Sequence, residues 1–191
     1  DLTYRDIYNF WVDRHRQLLD DGLNAPACDA QIAIPDGVSA RNGETGAALR
    51  TLYPLLVRRA LFDAVAGHKV PPEGVVLSRD FFPAAQRFPW QVGPQVSNDW
   101  DGLQHTLRTA LSIGASGVPV QTHGIGSLHA PLDSMTSELY VRWLTMGVFS
   151  ANFCFQGVPN LMPWAFGDET LELVRTWMQW RYRLIPYVLG A

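Results

Sequence analysis

The sequence predicts an α/β protein of the (β/α)8 TIM-barrel type, with only the later strands and helices of the barrel present. Three observations carry this. Short, largely apolar runs alternate with amphipathic helical stretches, the pattern of a parallel sheet covered by helices. The segments that follow the strand-like runs are long and hold the unusual polar and aromatic residues, as in a barrel whose working loops come after its strands. Four or five strands are legible in 191 residues, whereas a complete barrel needs about 250 residues and eight strands. An open doubly wound sheet is the other architecture compatible with this pattern. Residues 1–191 read as one domain, without internal repeats or low-complexity stretches.

Thr3 to Asp21 reads as a helix with Ile7, Phe10, Trp11, Leu18 and Leu19 on one face. Thr3 is placed to cap it with Asp6 as capping-box partner, and Gly22 to stop it. Leu23 to Cys28 follows as a strand, although Pro26 counts against it, and a polar loop runs on to Gly43. Ala47 to Ala66 is helical, with Pro54 starting or kinking it. Val75 to Ser78 is a short buried strand. The aromatic loop beyond it, reaching Asp99, holds one more short strand near Gln91 to Val96. Trp100 to Ile113 is a helix ended by Gly114, with Leu103, Leu107 and Leu111 at four-residue steps. Val118 to Gln121 is a strand that gives way to a loop, Thr122 to Gly126. Ser137 to Val148 is a helix capped by Thr136 or Ser137. Ala151 to Phe155 is the last strand, and Glu169 to Tyr187 the last helix.

Hydrophobic residues make up 47% of the chain and charged ones 17%, which argues against disorder. A net charge of −3 argues against a nucleic-acid partner. No apolar run is long enough to span a bilayer and no signal peptide opens the sequence, so no membrane partner is expected. The chain starts at Asp1 rather than Met, as a mature or excised piece would. Two cysteines, Cys28 and Cys154, make no disulfide framework. They read as buried thiols of a reducing compartment, so a cytoplasmic location is the expectation.

Asp29 is the principal candidate for chemistry. It stands where an apolar strand gives way to a loop, the place where parallel α/β proteins put their chemistry. A carboxylate there is costly to bury unless something uses or neutralises it. Aspartate also caps turns, and the residues alone leave both readings open. His123, His129 and Asp133 share one loop, but their spacing matches no metal motif, so a structural or solvated loop is expected and no metal. Gly114 to Gly117 and Gly124 to Gly126 do not open a helix after a strand as phosphate loops do. A Cys28 nucleophile would need a base, for which His123 is conceivable. Trp90, Phe81, Phe82 and Trp164 can stack on a sugar ring or fill a core.

Several motifs then line up in order. Leu52-Tyr53-Pro54-Leu55-Leu56, Ser78-Arg79 followed by Gln86-Arg87-Phe88-Pro89, and Trp100-Asp101-Gly102-Leu103 are the first three. Glu138-Leu139-Tyr140-Val141-Arg142-Trp143-Leu144, Pro163-Trp164-Ala165-Phe166-Gly167 and Arg181-Tyr182-Arg183-Leu184-Ile185-Pro186-Tyr187 complete the set. Together they resemble the C-terminal half of the catalytic barrel of glycoside hydrolase family 31, the family of α-glucosidases, α-xylosidases and sulfoquinovosidases. The resemblance implies an α-glycoside as partner, no cofactor, and a retaining mechanism with two carboxyl groups. It implies that Asp29 is the nucleophile and Arg79 a substrate-binding residue; His123, Trp90 and Trp164 are the further candidate sugar contacts. It also implies that the earlier strands lie on a longer parent chain or a partner subunit, since an open sheet edge must be covered.

The departures from the family pattern bear on activity. The acid/base aspartate falls on Gln95, and a carboxamide cannot donate a proton as an acid does. The sugar-binding aspartate of the family's GHDIGG motif falls on Gly124. Its Arg and His after the eighth strand fall on Cys154 and Gln156, and the glutamate of DFGE is absent from Asp29-Ala30-Gln31-Ile32. Asp80 and Asp99 are the nearest plausible replacements in sequence; pairing with Arg79 and capping of the next helix are their ordinary fates. Three functions are therefore expected in turn. The first is a retaining glycosidase using Asp29 with impaired or altered activity. The second is an inactive carbohydrate-binding or structural pseudoenzyme. The third is another reaction class that reuses the barrel mouth.

Overall fold

The computed structural model describes residues 1–28, 33–68, 75–79, 82, 84–88, 90–131 and 134–190. The chain divides into two compact units, Asp1–Val92 and Gly93–Ala191. In the first unit, α1 (Arg5–Asp20), β1 (Ala27–Cys28), α2 (Gly46–His68), β2 (Leu77–Ser78) and β3 (Trp90–Val92) follow one another. All three strands run parallel. Ala27 lies opposite Leu77, Cys28 opposite Ser78, and Ser78 opposite Gln91. Val12 and Leu19 of α1 pack with Ala60, Leu61, Ala64 and Val65 of α2 and with Val76. Each large side chain removed from water in this way contributes about 1.5–3 kcal/mol. The Tyr8 hydroxyl donates to Asp63 at 2.5 Å, tying the same two helices. Burial, then that carboxylate, raise the phenol's pKa.

Local chemistry explains where the sequence boundaries shift. Thr3 does not cap α1: its hydroxyl and its N–H both donate to Asp1 Oδ1, at 2.8 and 3.0 Å, and the cap position is Tyr4 without a side-chain bond. Pro26 joins the sheet only through its carbonyl, which accepts from the Leu77 N–H at 3.0 Å, so the strand proper shortens to Ala27–Cys28. Pro54 lies inside α2 rather than at its start. The helix begins at Gly46, where a Cβ would overlap the Pro35 carbonyl, so the entry into α2 needs glycine.

The second unit holds α3 (Trp100–Ala115), β4 (Val120–Ile125), α4 (Ser137–Phe149), β5 (Asn152–Phe155) and α5 (Asp168–Gly190). β4 and β5 are parallel, with Thr122 opposite Asn152, His123 opposite Phe153, Gly124 opposite Cys154 and Ile125 opposite Phe155. Ile125 is buried with Leu139, Tyr140, Trp143, Leu144 and Val148 of α4, Leu161, and Val174 of α5. Tyr140 stacks on Phe166 at 4.5 Å between ring centres, which gives the Pro163–Phe166 turn its anchor. Thr136 caps α4 by accepting the Leu139 N–H at 3.2 Å. β4 runs further than its apolar stretch suggested. Thr122 to Ile125, expected as loop, is strand, because β5 supplies the ladder and Ile125 the buried anchor. α3 passes through Gly114, and the chain turns instead at Gly117, with φ of 85°. Among the described residues no helix is long and apolar enough to cross a membrane.

Candidate functional site

The strongest polar construction in the second unit is built around Asn98, which is 1% exposed. The two hydrogens of its Nδ2 are shared among the carbonyls of Ser127 (3.0 Å), Ala130 (3.2 Å) and Pro131 (3.0 Å), one of them in a three-centre bond, and its Oδ1 accepts the Ser127 N–H at 2.7 Å. The Ser134 hydroxyl donates to its carbonyl at 2.8 Å. One side chain thus fastens the segment after β4 to the segment before α3. That fastening places the Ser127 hydroxyl, itself in a residue 1% exposed, 2.6 Å from Gln95 Oε1. Ser127 Oγ accepts from the His129 N–H at 3.4 Å and keeps its own hydrogen for Gln95. The oxygen of the Gln95 carboxamide therefore faces Ser127 and its NH2 faces away, on an exposed residue.

On the neighbouring strands, Gly124 and Cys154 are register partners. Gln156 Nε2 donates to the Gly126 carbonyl. A Cβ built on Gly124 would overlap that same amide nitrogen. Gly124 and Gln156, the two positions set by sequence against an Asp and a His of the family's motifs, are thus coupled: the glutamine side chain occupies the space that a side chain on Gly124 would enter.

His123 is 4% exposed, and both ring nitrogens are engaged inside the fold. Nδ1 lies 3.2 Å from the Gly124 carbonyl and Nε2 3.1 Å from Ser150 Oγ, while Phe153 stacks against the ring. Burial lowers its pKa below the ordinary histidine value, and the Gly124 carbonyl offsets part of that. Contact with a sugar would require the ring to leave both partners. Arg181 of α5 holds the end of α4, donating to the carbonyls of Val148 (3.0 Å), Ser150 (2.6 Å) and Ala151 (2.7 Å). A cation at a helix C-terminus satisfies its orphan carbonyls and its dipole.

Asp99 caps α3. Its Oδ1 accepts the Gly102 N–H at 2.8 Å and the Ser97 hydroxyl at 2.6 Å. The Ser97 bond first, then the Gly102 bond, lower its pKa, so it stays ionised and is a poor proton donor. Trp164 is 61% exposed on the Pro163–Phe166 turn, an open aromatic face. In the first unit, Arg79 follows β2 and Trp90 opens β3, both half-buried. Fully buried Arg58 of α2 donates to the carbonyls of Phe88 (2.5 Å) and Trp90 (2.7 Å) and lies over the Phe88 ring. It sets the path into β3. Asp29, Asp80, Phe81 and Asp133 lie outside the described residues. Among the described residues no three His, Cys, Asp or Glu side chains gather as a metal site, and both cysteines are thiols, Cys154 an exposed one.

Sequence reasoning passed over Asn98, Ser127 and Arg58. The Asn98 signal was masked by Asp99, a better cap, and a buried Arg in an amphipathic helix looks like any surface Arg. Ser127 stood in a glycine-rich stretch whose strand character was not visible.

Parallel strands with intervening helices, and a polar cluster in the segment after β4, define a segment of an α/β barrel. The chain belongs to glycosyl hydrolases family 31: the model of that family's TIM-barrel domain matches residues 1–191. An α-xylosidase of Emericella nidulans is 22% identical over all of this chain and 24% of its own length. The α-xylosidase XylQ of Lactiplantibacillus pentosus is 25% identical over 98% of this chain and 25% of its own length. The chain therefore spans about a quarter of the length of these curated relatives. A family 31 sulfoquinovosidase from E. rectale, solved with an aza-sugar inhibitor, superposes with a TM-score of 0.83 at 23% identity, over 98% of this chain and 30% of that one. A cycloalternan-degrading enzyme from Trueperella pyogenes, solved with a covalent intermediate, gives 0.84 at 21% identity, over 100% and 28%.

Proposed function

We propose that the protein acts on α-glycosides by a retaining route in which Asp29 is the nucleophile and no acid stands at Gln95 to protonate the leaving group. The observation that carries this reading is the Ser127–Gln95 hydrogen bond at 2.6 Å. Gln95, proposed to stand at the acid/base position, is held at its oxygen by buried Ser127, and a carboxamide cannot transfer a proton as an acid does. Asp99, committed to its cap, offers no replacement. In this route the Asp29 carboxylate attacks the anomeric carbon as the bond to the leaving oxygen breaks, giving a glycosyl ester that water then hydrolyses. Arg79, Trp90 and Trp164 are the proposed sugar contacts.

The remaining strands of the barrel are proposed to come from a longer parent chain or a partner. In the first unit an open apolar groove of about 910 Å³ is lined by Ile7, Phe10, Leu18, Leu23 and Cys28. Several of these apolar side chains are exposed, as expected of a face that the preceding barrel units cover.

Turnover of an α-glucosyl or α-xylosyl fluoride by the full-length protein tests the reading, with the methyl α-glycosides compared alongside. Fluoride leaves without protonation, so the fluorides are cleaved, the methyl glycosides are not, and Asp29→Asn abolishes cleavage. Equal turnover of both classes would contradict the proposal. A second reading, sugar binding without turnover, is favoured by Gln156 filling the space beside Gly124. Sugar binding with no cleavage of either fluoride would select it.

A further inference from the structure

We infer that the open groove of the first unit seats an amphipathic helix of the parent chain that carries a carboxylate within its apolar face, set against Arg14. The inference rests on the reading that the remaining barrel units cover this groove, and it names the chemistry of the covering segment. α1 carries two apolar stripes. Tyr8, Val12 and Leu19 form the first, which packs on α2. Ile7, Trp11 and Leu18 repeat the same steps of four and seven residues one position earlier, about 100° round the helix. This second stripe is largely bare: Ile7 is 42% exposed, Leu18 50%, and Phe10 beside them 55%. With Leu23, Pro26, Ala27 and Cys28 it lines a groove of about 910 Å³. A stripe repeating at three and four residues is matched by a second helix lying alongside it. β1 also lines the groove and, among the described strands, pairs with β2 alone. The sheet and the helix layer are therefore open at the same place.

Arg14 sets the charge of the occupant. It stands on the second stripe, between Trp11 and Leu18, with its guanidinium 5.0 Å from the centre of the Phe10 ring. Among the described residues it makes no ion pair. Asp13 and Asp20 of the same helix are engaged elsewhere, with Arg16 at 2.9 Å and His68 at 3.5 Å. A helix laid over the stripe takes this cation out of water, and a buried charge is costly unless it is paired. The facing residue is therefore an Asp or a Glu. One such pair in an otherwise apolar seam also fixes the register of the two helices. A second copy of this chain fits less well, because its own stripe would bring another Arg14 and no acid.

The test uses the full-length protein with a photo-crosslinking amino acid in place of Phe10 and, separately, of Leu18. Both positions should join to one helical segment of the same chain, mapped by proteolysis and mass spectrometry, with an Asp or Glu within a turn of the crosslinked residues. Arg14→Leu should lower the urea midpoint although it extends the apolar stripe, because it strands the facing acid. Arg14→Glu should lower it further, and exchanging the mapped acid for Arg in that variant should recover most of the loss. A raised midpoint in Arg14→Leu, or no recovery in the exchanged pair, overturns the inference, while the crosslink within the chain leaves the barrel reading standing. A crosslink to a separate chain overturns the inference and leaves a barrel completed by a partner. No crosslink from either position, with Phe10 open to solvent, overturns both.

Discussion

The Gln156 side chain lies where a side chain on Gly124 would go: a Cβ at Gly124 would overlap Gln156 Nε2 and would also press, at 2.9 Å, on the Gly126 carbonyl. By sequence these two positions fall against an Asp and a His of the family's motifs, and in the structure the two residues interlock. Gly124→Asp is expected to destabilise the fold by about 1–3 kcal/mol, the usual range for overpacking. Adding Gln156→Ala should recover part of this, leaving the strain against the Gly126 carbonyl. A double-mutant cycle by denaturant unfolding checks it; the expected coupling is about 0.5–3 kcal/mol, and simple additivity would show that Gln156 does not fill that space.

Asn98 reaches three carbonyls and one N–H through one buried carboxamide. Asn98→Ala should lower stability by about 2–4 kcal/mol, the range for leaving several buried partners unmet. Asn98→Asp keeps the acceptor for the Ser127 N–H but turns a negative oxygen towards three carbonyls. It should be at least as destabilising at neutral pH, and acidification, which restores a donor, should relieve part of the loss. Thermal melts of both variants across pH measure this.

Arg58 is a buried cation held by two main-chain carbonyls. Arg58→Leu keeps bulk but orphans both acceptors, and should cost about 2–5 kcal/mol. Hydrogen exchange should show the loss concentrated at Phe88 to Val92, and an even loss across the first unit would contradict the proposed role in setting the path into β3.

His123 gives a pH dependence of definite sign. Its folded pKa is lowered from 6.5, chiefly by burial. The unfolded state therefore binds the proton more tightly, and stability rises with pH through that window. The contribution is complete above pH 6.5 and is lost as pH falls from 6.5 towards the lower folded value. His123→Asn should remove this part of the profile, as followed by urea unfolding at several pH values.

Much of the fold was legible because it rests on local signals. The apolar face of α1 and the caps at Asp99 and Thr136 are short-range chemistry, and each appears in the structure. The Thr3 cap failed because Asp1, also local, competed for the same hydroxyl. The end of β4 was not legible because its strand character comes from pairing with β5, more than twenty residues away in sequence. For the candidate site, the motif order set Gln95 and Gly124 against the family's acid/base and sugar-binding aspartates. It could not show that Gln95 is held by Ser127 through Asn98, or that Gln156 accounts for Gly124, since both relations are made only when distant segments fold together.

The most direct measurement of the central claim is mass spectrometry of the full-length protein after incubation with a 5-fluoro-α-glycosyl fluoride, whose glycosyl ester is slow to hydrolyse. The account predicts one added glycosyl group, mapped by proteolysis to Asp29 and absent from Asp29→Asn. An unmodified protein with bound sugar, or an adduct on any other residue, would contradict it.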